Sequence, residues 1–113
     1  MRNLLLLIIL SLCGSITTQA SRHSQDTAYV KMTLHYFDLY QKGKDEKAYY
    51  NAAKQMKDYL LDHNDKELYY TIRSQEVIFD ANLGKTYRAL QKVNTILKDI
   101  EQEKNKDSYL QLI

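Results

Sequence analysis

Two glycines 41 residues apart restrict the fold of this chain more than any other feature. The chain has no proline and three glycines, one of which, Gly14, lies in an apolar N-terminus. The others, Gly43 and Gly84, hold corresponding places in the stretches YQKGKDEKAYYNAAKQM and ANLGKTYRALQKVNTIL. A chain so poor in helix-breaking residues is typical of continuous helices with few breaks.

Four apolar stripes at helical spacing predict four helices and an all-α fold. We expect the helices at residues 25–42, 45–62, 65–83 and 85–104, and no stretch with the two-residue period of a strand competes with them. The stripes are Tyr29, Met32, Tyr36, Leu39 and Tyr40; Ala48, Ala52, Met56, Tyr59 and Leu60; Leu68, Ile72, Gln75, Val77, Ile78, Phe79 and Leu83; and Ala89, Leu90, Val93, Ile96, Leu97 and Ile100.

Turn and capping residues lie between the stripes. We expect Gly43 and Gly84 to adopt the left-handed conformation that ends the first and third helices. Asp45 is the predicted cap of the second helix. Asn64, followed three residues later by Glu67, predicts a capping box at the start of the third helix.

The glycines and two alanines predict an internal repeat. Ala48 follows Gly43 by five residues and Ala89 follows Gly84 by five residues, so the whole arrangement recurs after 41 residues. A glycine turn is followed one helical turn later by an alanine, whose small side chain lets the two helices of a hairpin approach closely. We therefore predict one hairpin at 25–62, a second at 65–104 and the start of a third at 108–113.

This pattern resembles the tetratricopeptide-repeat (TPR) family and related helical-hairpin repeats. The resemblance lies in the small residue at the turn, the alanine five residues later and a bulky residue, Tyr40, near the end of the first helix. It implies antiparallel hairpins stacked as a TPR-like right-handed solenoid within residues 21–113, although the period is 41 residues rather than about 34. It also implies a protein or peptide partner that binds in a concave groove.

Tyrosine is abundant, with ten in the chain. Because first helices line the inner surface in that family, Tyr29, Tyr36 and Tyr70 are the candidate partner-binding residues. Tyrosine gives a partner a large contact area with a polar tip. The alternative is that the rings pack between helical layers with their hydroxyls at the rim.

A polar break at 105–108 predicts a fifth helix that begins at residue 108, capped by Asp107 or Ser108. Two repeats and such a short stub would leave an apolar edge at YLQLI, because stacked repeats need about three units to bury their apolar faces. We expect the chain to be the N-terminal part of a longer protein. Self-association through this edge, or through a short coiled-coil seam on the fourth helix, is the alternative.

The N-terminus predicts export. Met1-Arg2-Asn3 is followed by the apolar run at 4–12 and by Thr18-Gln19-Ala20, which fits a cleavage site, so residues 1–20 are a predicted signal peptide. The alternatives are an uncleaved anchor and, through Cys13, a lipid-modified N-terminus. A chain that starts at Ser21 has no cysteine and therefore no disulfide.

Charge and site chemistry exclude several classes of function. Without Arg2, 15 basic residues face 14 acidic ones, which argues against a nucleic-acid surface. His63 with Asp62 and Asp65 offers metal-ligand types, but adjacent turn residues rarely converge, and a capped, solvated turn is the preferred interpretation. We predict no catalytic, cofactor-binding or metal-binding residue and no enzymatic activity.

The leading functional hypothesis is an exported, non-enzymatic helical-repeat module that binds a protein or peptide. The chain resembles the N-terminal periplasmic sensor regions of Bacteroidetes-type signalling proteins, in which such repeats precede a histidine-kinase or DNA-binding output. The resemblance implies a periplasmic location, or a periplasm-facing one at the inner membrane, with membrane contact only through a missing C-terminal part or an uncleaved signal segment. The alternatives are a free-standing periplasmic scaffold or assembly protein and, more remotely, a small secreted enzyme.

Overall fold

The computed structural model describes residues 26–113, which form five α-helices and no strand. They are α1 (Thr27–Lys42), α2 (Glu46–Asp62), α3 (Lys66–Asn82), α4 (Thr86–Glu101) and α5 (Lys106–Leu110). The all-α prediction is confirmed, and the predicted signal peptide at 1–20 lies outside the described residues. Between residues 26 and 113, no helix has the length and hydropathy needed to cross a bilayer.

Each turn between the four long helices contains one residue in the left-handed conformation. Gly43 has a φ of 61°, Asn64 of 55° and Gly84 of 78°, which confirms the predicted conformation of both glycines. After Asn64, the amide of Asp65 bonds to the carbonyl of Leu60 at 2.8 Å, and after Gly84 the same bond recurs from Lys85 to Asp80 at 2.9 Å. The turn between the hairpins therefore has the same Schellman geometry as the turn within the second hairpin.

Aspartates cap three of the helices. The carboxylates of Asp26, Asp45 and Asp65 accept hydrogen bonds from the amides of Tyr29, Ala48 and Leu68 at 3.2, 3.0 and 3.3 Å. The prediction for Asp45 is confirmed, whereas the capping box that starts at Asn64 is wrong. Asn64 takes the left-handed turn position, which leaves the next residue, Asp65, to cap α3.

The helix α3 is the centre of the fold because it packs on both of its neighbours. Leu68, Ile72 and Phe79 join α1 and α2 in a tyrosine-rich core. On another face of α3, Tyr70 joins a second core that is built mainly from α4 and α5. The members of the first core are Tyr29, Tyr36, Tyr49, Ala52, Ala53, Met56, Leu60, Leu68, Ile72 and Phe79, and those of the second are Tyr70, Ile96, Ile100 and Tyr109.

The buried face of α4 differs from the predicted one. Ala89, Ile96 and Ile100 are buried, but Leu90 is 58% exposed and Leu97 is 38% exposed. The prediction that all of these residues pack inward was wrong for the two leucines, because α3 and α5 cover only one side of α4.

The fifth helix begins earlier than predicted, at Lys106, and Asn105 is its N-cap without a side-chain capping bond. Neither Asp107 nor Ser108 is therefore the cap. Tyr109 is buried and Leu112 packs against the second core, so the predicted apolar edge is partly covered.

Candidate functional site

The three tyrosines predicted to bind a partner lie inside the protein. Tyr29 is 1% exposed, Tyr36 0% and Tyr70 2%. The ring of Tyr29 stacks on Tyr59 with 4.7 Å between centroids, and Tyr70 contacts Tyr109 at 5.1 Å. Such buried rings offer a partner no contact area in this structure, because each fills the space between packed helices.

Ala48, Ala89 and His63 were also singled out by the sequence, and their burial and contacts are as follows. Ala89 is buried, as a close helix contact requires, whereas Ala48 is only half-buried. The exposed ring of His63 stacks on Tyr59 at 3.9 Å. Among residues 26–113, no group of three or more histidine, cysteine, aspartate or glutamate side chains is arranged to hold a metal ion.

A cleft of about 330 Å³, which we call the charged cleft, lies between the second, third and fourth helices. The helices α2 and α4 form its walls, and α3 forms its floor. It is lined by Lys57, Arg73, Glu76, Arg88, Gln91, Lys92, Thr95 and Ile96.

Two carboxylates of α3 are buried beside this cleft. Asp80 is fully buried; it pairs with Lys92 at 2.7 Å and with Arg88 at 3.0 Å. Glu76 is 6% exposed and pairs with Lys57 at 2.6 Å. Burial of a charge is expensive unless it is paired, so these contacts fix the relative positions of α2, α3 and α4.

The same network continues to the start of α2. Tyr50 donates a hydrogen bond to Asp80, and the ammonium group of Lys92 lies 4.1 Å from the centre of the Tyr50 ring. Glu46 accepts hydrogen bonds from Lys85 and Arg88 on the second hairpin. These two bonds hold the pKa of Glu46 below its ordinary value, and the bond from Lys85 has the larger effect.

A second cleft, of about 310 Å³, meets the charged cleft at Arg73, which lines both. Here Lys66 of α3 binds both carboxylate oxygens of Glu103 at 2.8 and 2.9 Å and lowers the pKa of Glu103. Tyr70, at the floor, donates a hydrogen bond to Glu103 at 3.0 Å. The remaining lining residues are Leu61, Tyr69, Asp99 and Gln102.

Basic side chains outnumber acidic ones among the residues that line the two clefts, and Asp80 and Glu46 lie beside the lining as ion-pair partners of Arg88 and Lys92. Five basic residues line the clefts (Lys57, Lys66, Arg73, Arg88 and Lys92) against three acidic ones (Glu76, Asp99 and Glu103). Arg73 is held at 2.7 Å by Asp99, whose side chain is half exposed. A carboxylate of a bound peptide can replace Asp99 there, because guanidinium groups bind planar carboxylates well.

Sequence reasoning missed this network. Glu76 and Asp80 are four residues apart and therefore share one face of α3, and that spacing was the available signal. Their partners Lys57, Arg88 and Lys92 come from two other helices, and no local pattern connects them.

No protein-family profile, no curated protein and no solved structure matches this chain.

Proposed function

We propose that this chain is an exported, non-enzymatic helical-repeat module that binds an acidic peptide segment of a protein partner in the charged cleft and the second cleft. It serves as the N-terminal sensor part of a longer signal-transduction protein with a histidine-kinase or transcriptional output. The observation that carries the binding proposal is Arg73, which lines both clefts and is paired there with the half-exposed carboxylate of Asp99, a partner that a peptide carboxylate can replace.

The contacts between alternate helices support a TPR-like stacking of the two hairpins. The hydroxyl of Tyr36 on α1 bonds to Gln75 on α3 at 2.7 Å. Glu46 on α2 forms an ion pair with Arg88 on α4. Equivalent helices of the two hairpins thus touch each other, as expected when hairpins stack with a repeated geometry.

The composition of the joined clefts supports a peptide ligand. Arginine and tyrosine are common at the centres of protein interfaces, and both Arg73 and the half-buried Tyr69 line the second cleft. The guanidinium of Arg73 lies 5.6 Å from the centres of the Tyr69 and Tyr70 rings, which holds it in place for a carboxylate.

The proposal of export and signalling is supported by the N-terminal sequence. The positive start, the apolar run at 4–12 and Thr18-Gln19-Ala20 have the order of a secretory signal. A helical module outside the cytoplasm that binds a peptide suits a sensor, because binding can change the packing of hairpins that continue toward an output domain.

Selection from a random peptide library displayed on phage tests the binding proposal. We expect the selected peptides to be rich in aspartate and glutamate and to bind more weakly as salt concentration rises. Thr95 is exposed and lines the charged cleft, so Thr95→Glu introduces a like charge there and should weaken binding by about tenfold or more.

The control is Lys98→Glu, which changes the charge in the same direction by two units, against one for Thr95→Glu, on the same helix outside both clefts. Binding by Lys98→Glu should stay within about twofold of the unmodified chain, since rim and distant charges act weakly in salt. Selected peptides without acidic residues, or equal effects of the two substitutions, would contradict the proposal.

A further inference from the structure

The second cleft has an apolar part and a polar part. Leu61, from the last turn of α2, and Tyr69, from α3, form the apolar part. Asp99, Gln102 and Glu103, from the end of α4 and the residues that follow it, form the polar part. A ligand in this cleft therefore meets an apolar surface on the α2 side and charged or amide groups on the α4 side.

Leu61 is exposed within this cleft. Its side chain is 44% exposed, whereas the neighbouring Leu60 is fully buried in the first core. A single exposed leucine is ordinary on a protein surface. This one differs because it lines a concave site beside the half-buried ring of Tyr69. Concave sites with apolar walls and a few fixed polar groups are typical of ligand binding.

Arg73 is the fixed polar group next to this apolar surface. Its side chain is only 14% exposed, and its guanidinium lies 5.6 Å from the centre of the Tyr69 ring. Tyr69 and Arg73 are four residues apart, which is about 6 Å along the axis of α3. Neighbouring residues of an extended peptide are about 3.5 Å apart. A peptide carboxylate on Arg73 therefore brings the side chains one or two residues away within reach of Tyr69 and Leu61.

The carboxylate alone gives a peptide little affinity. It replaces Asp99, which already binds Arg73 at 2.7 Å, so the number of carboxylates on the guanidinium stays the same. Ion pairs at such exposed positions contribute little in any case. The carboxylate thus orients the peptide, and the free energy of binding has to come mainly from apolar area that the peptide buries. Leu61 and Tyr69 supply that area in the second cleft.

We propose that the second cleft recognises an acidic residue of a peptide together with a large apolar residue next to it. Arg73 binds the carboxylate, and Leu61 and Tyr69 pack against the apolar side chain. The inference rests on the proposed function and narrows its ligand from any acidic peptide to one in which acidic and large apolar residues are neighbours. Leu61 is then a specificity-determining residue.

Two synthetic peptides of equal charge test this inference. They are GEDLFDEG and GEDSSDEG, acetylated and amidated, and they differ only in the central apolar pair. We expect the full 113-residue chain to bind GEDLFDEG about tenfold more tightly in isothermal titration calorimetry, because a buried leucine or phenylalanine side chain contributes at least that factor. Leu61→Asn should weaken the binding of GEDLFDEG by about fivefold and leave that of GEDSSDEG unchanged, since it removes only apolar contact area.

The control is Leu34→Asn, which alters a leucine of α1 that is 67% exposed and lines neither cleft. This variant should bind both peptides as the unmodified chain does. Equal binding of the two peptides by the unmodified chain, or a preference that Leu61→Asn leaves intact, would overturn the inference while acidic peptides still bind. Equal binding of the uncharged peptide GQNLFNQG, or binding of no peptide at all, would overturn the proposed function and this inference with it.

Discussion

The hydroxyl of Tyr36 on α1 donates a hydrogen bond of 2.7 Å to the side-chain oxygen of Gln75 on α3, and both side chains are buried. A hydroxyl has one proton, so the contact of 2.9 Å between Tyr36 and Tyr49 is a bond that Tyr49 donates. This buried chain of three polar groups joins α1, α2 and α3 in the middle of the first core.

Tyr36→Phe should destabilise the chain by about 1–3 kcal/mol, because the side chains of Tyr49 and Gln75 each lose a buried partner. Denaturation by guanidinium chloride, followed by circular dichroism, measures the change. The double substitution Tyr36→Phe with Gln75→Leu should cost less than the sum of the two single ones, since it removes donor and acceptor together.

Tyr87→Phe is the matched control for this prediction, because Tyr87 is 76% exposed. Its free energy of unfolding should stay within about 0.5 kcal/mol of the unmodified chain. If Tyr36→Phe were equally harmless, the buried bond would have no stabilising role.

Asp80→Ala should be more damaging than any surface charge substitution. It removes the buried carboxylate that pairs with Arg88 and Lys92, and breaking a buried pair costs about 3–5 kcal/mol. The melting temperature from thermal denaturation should fall accordingly.

Asp99→Ala provides the comparison, since it breaks an ion pair with Arg73 at a half-exposed carboxylate. We expect a change of about 1 kcal/mol or less. Similar losses from the two substitutions would show that the buried ion pairs of Asp80 contribute no more to stability than an exposed pair.

Local chemistry explains which parts of this fold the sequence predicts. The turn at Gly43 and the cap at Asp45 depend on residues that are neighbours in the chain, and both predictions are confirmed. The periodicity of apolar residues likewise locates the four long helices to within a few residues.

The contacts between helices could not be predicted in this way. Glu76 and Asp80 acquire partners from α2 and α4, and those pairings depend on how three helices are stacked. The same reason explains the error at Leu90, because an amphipathic pattern shows that a helix has an apolar face but not how much of that face its neighbours cover.

Gly84→Ala should destabilise the chain by about 1–2 kcal/mol, because an alanine in the left-handed conformation brings its Cβ too close to the following carbonyl oxygen. The position has ample space, since a Cβ built there has no atom within 4 Å, so the loss is one of backbone conformation only. Urea denaturation measures it.

Gly84→Asn is the informative control, because Asn64 already adopts this conformation in the equivalent turn. Asparagine should be tolerated better than alanine, since its short polar side chain visits the left-handed region more readily. If the two substitutions were equally harmful, backbone conformation would not be the dominant requirement at this turn.

Acid should weaken the joint between the two hairpins through Glu46 and the packing within the second hairpin through Glu103. Their pKa values in the folded chain lie below the ordinary value of 4.5, because Lys85 and Arg88 bind the first and Lys66 binds the second. Between 4.5 and those lower values, the unfolded chain binds more protons than the folded chain, so the free energy of unfolding decreases as pH falls. We expect urea denaturation at pH 6 and at pH 3 to show this loss.

Glu46→Gln and Glu103→Gln should each reduce the difference between the free energies of unfolding at the two pH values. The effect of each substitution at pH 6 should also be smaller in about 1 M salt, which screens exposed ion pairs. A pH dependence that is unchanged in both variants would show that other carboxylates are responsible.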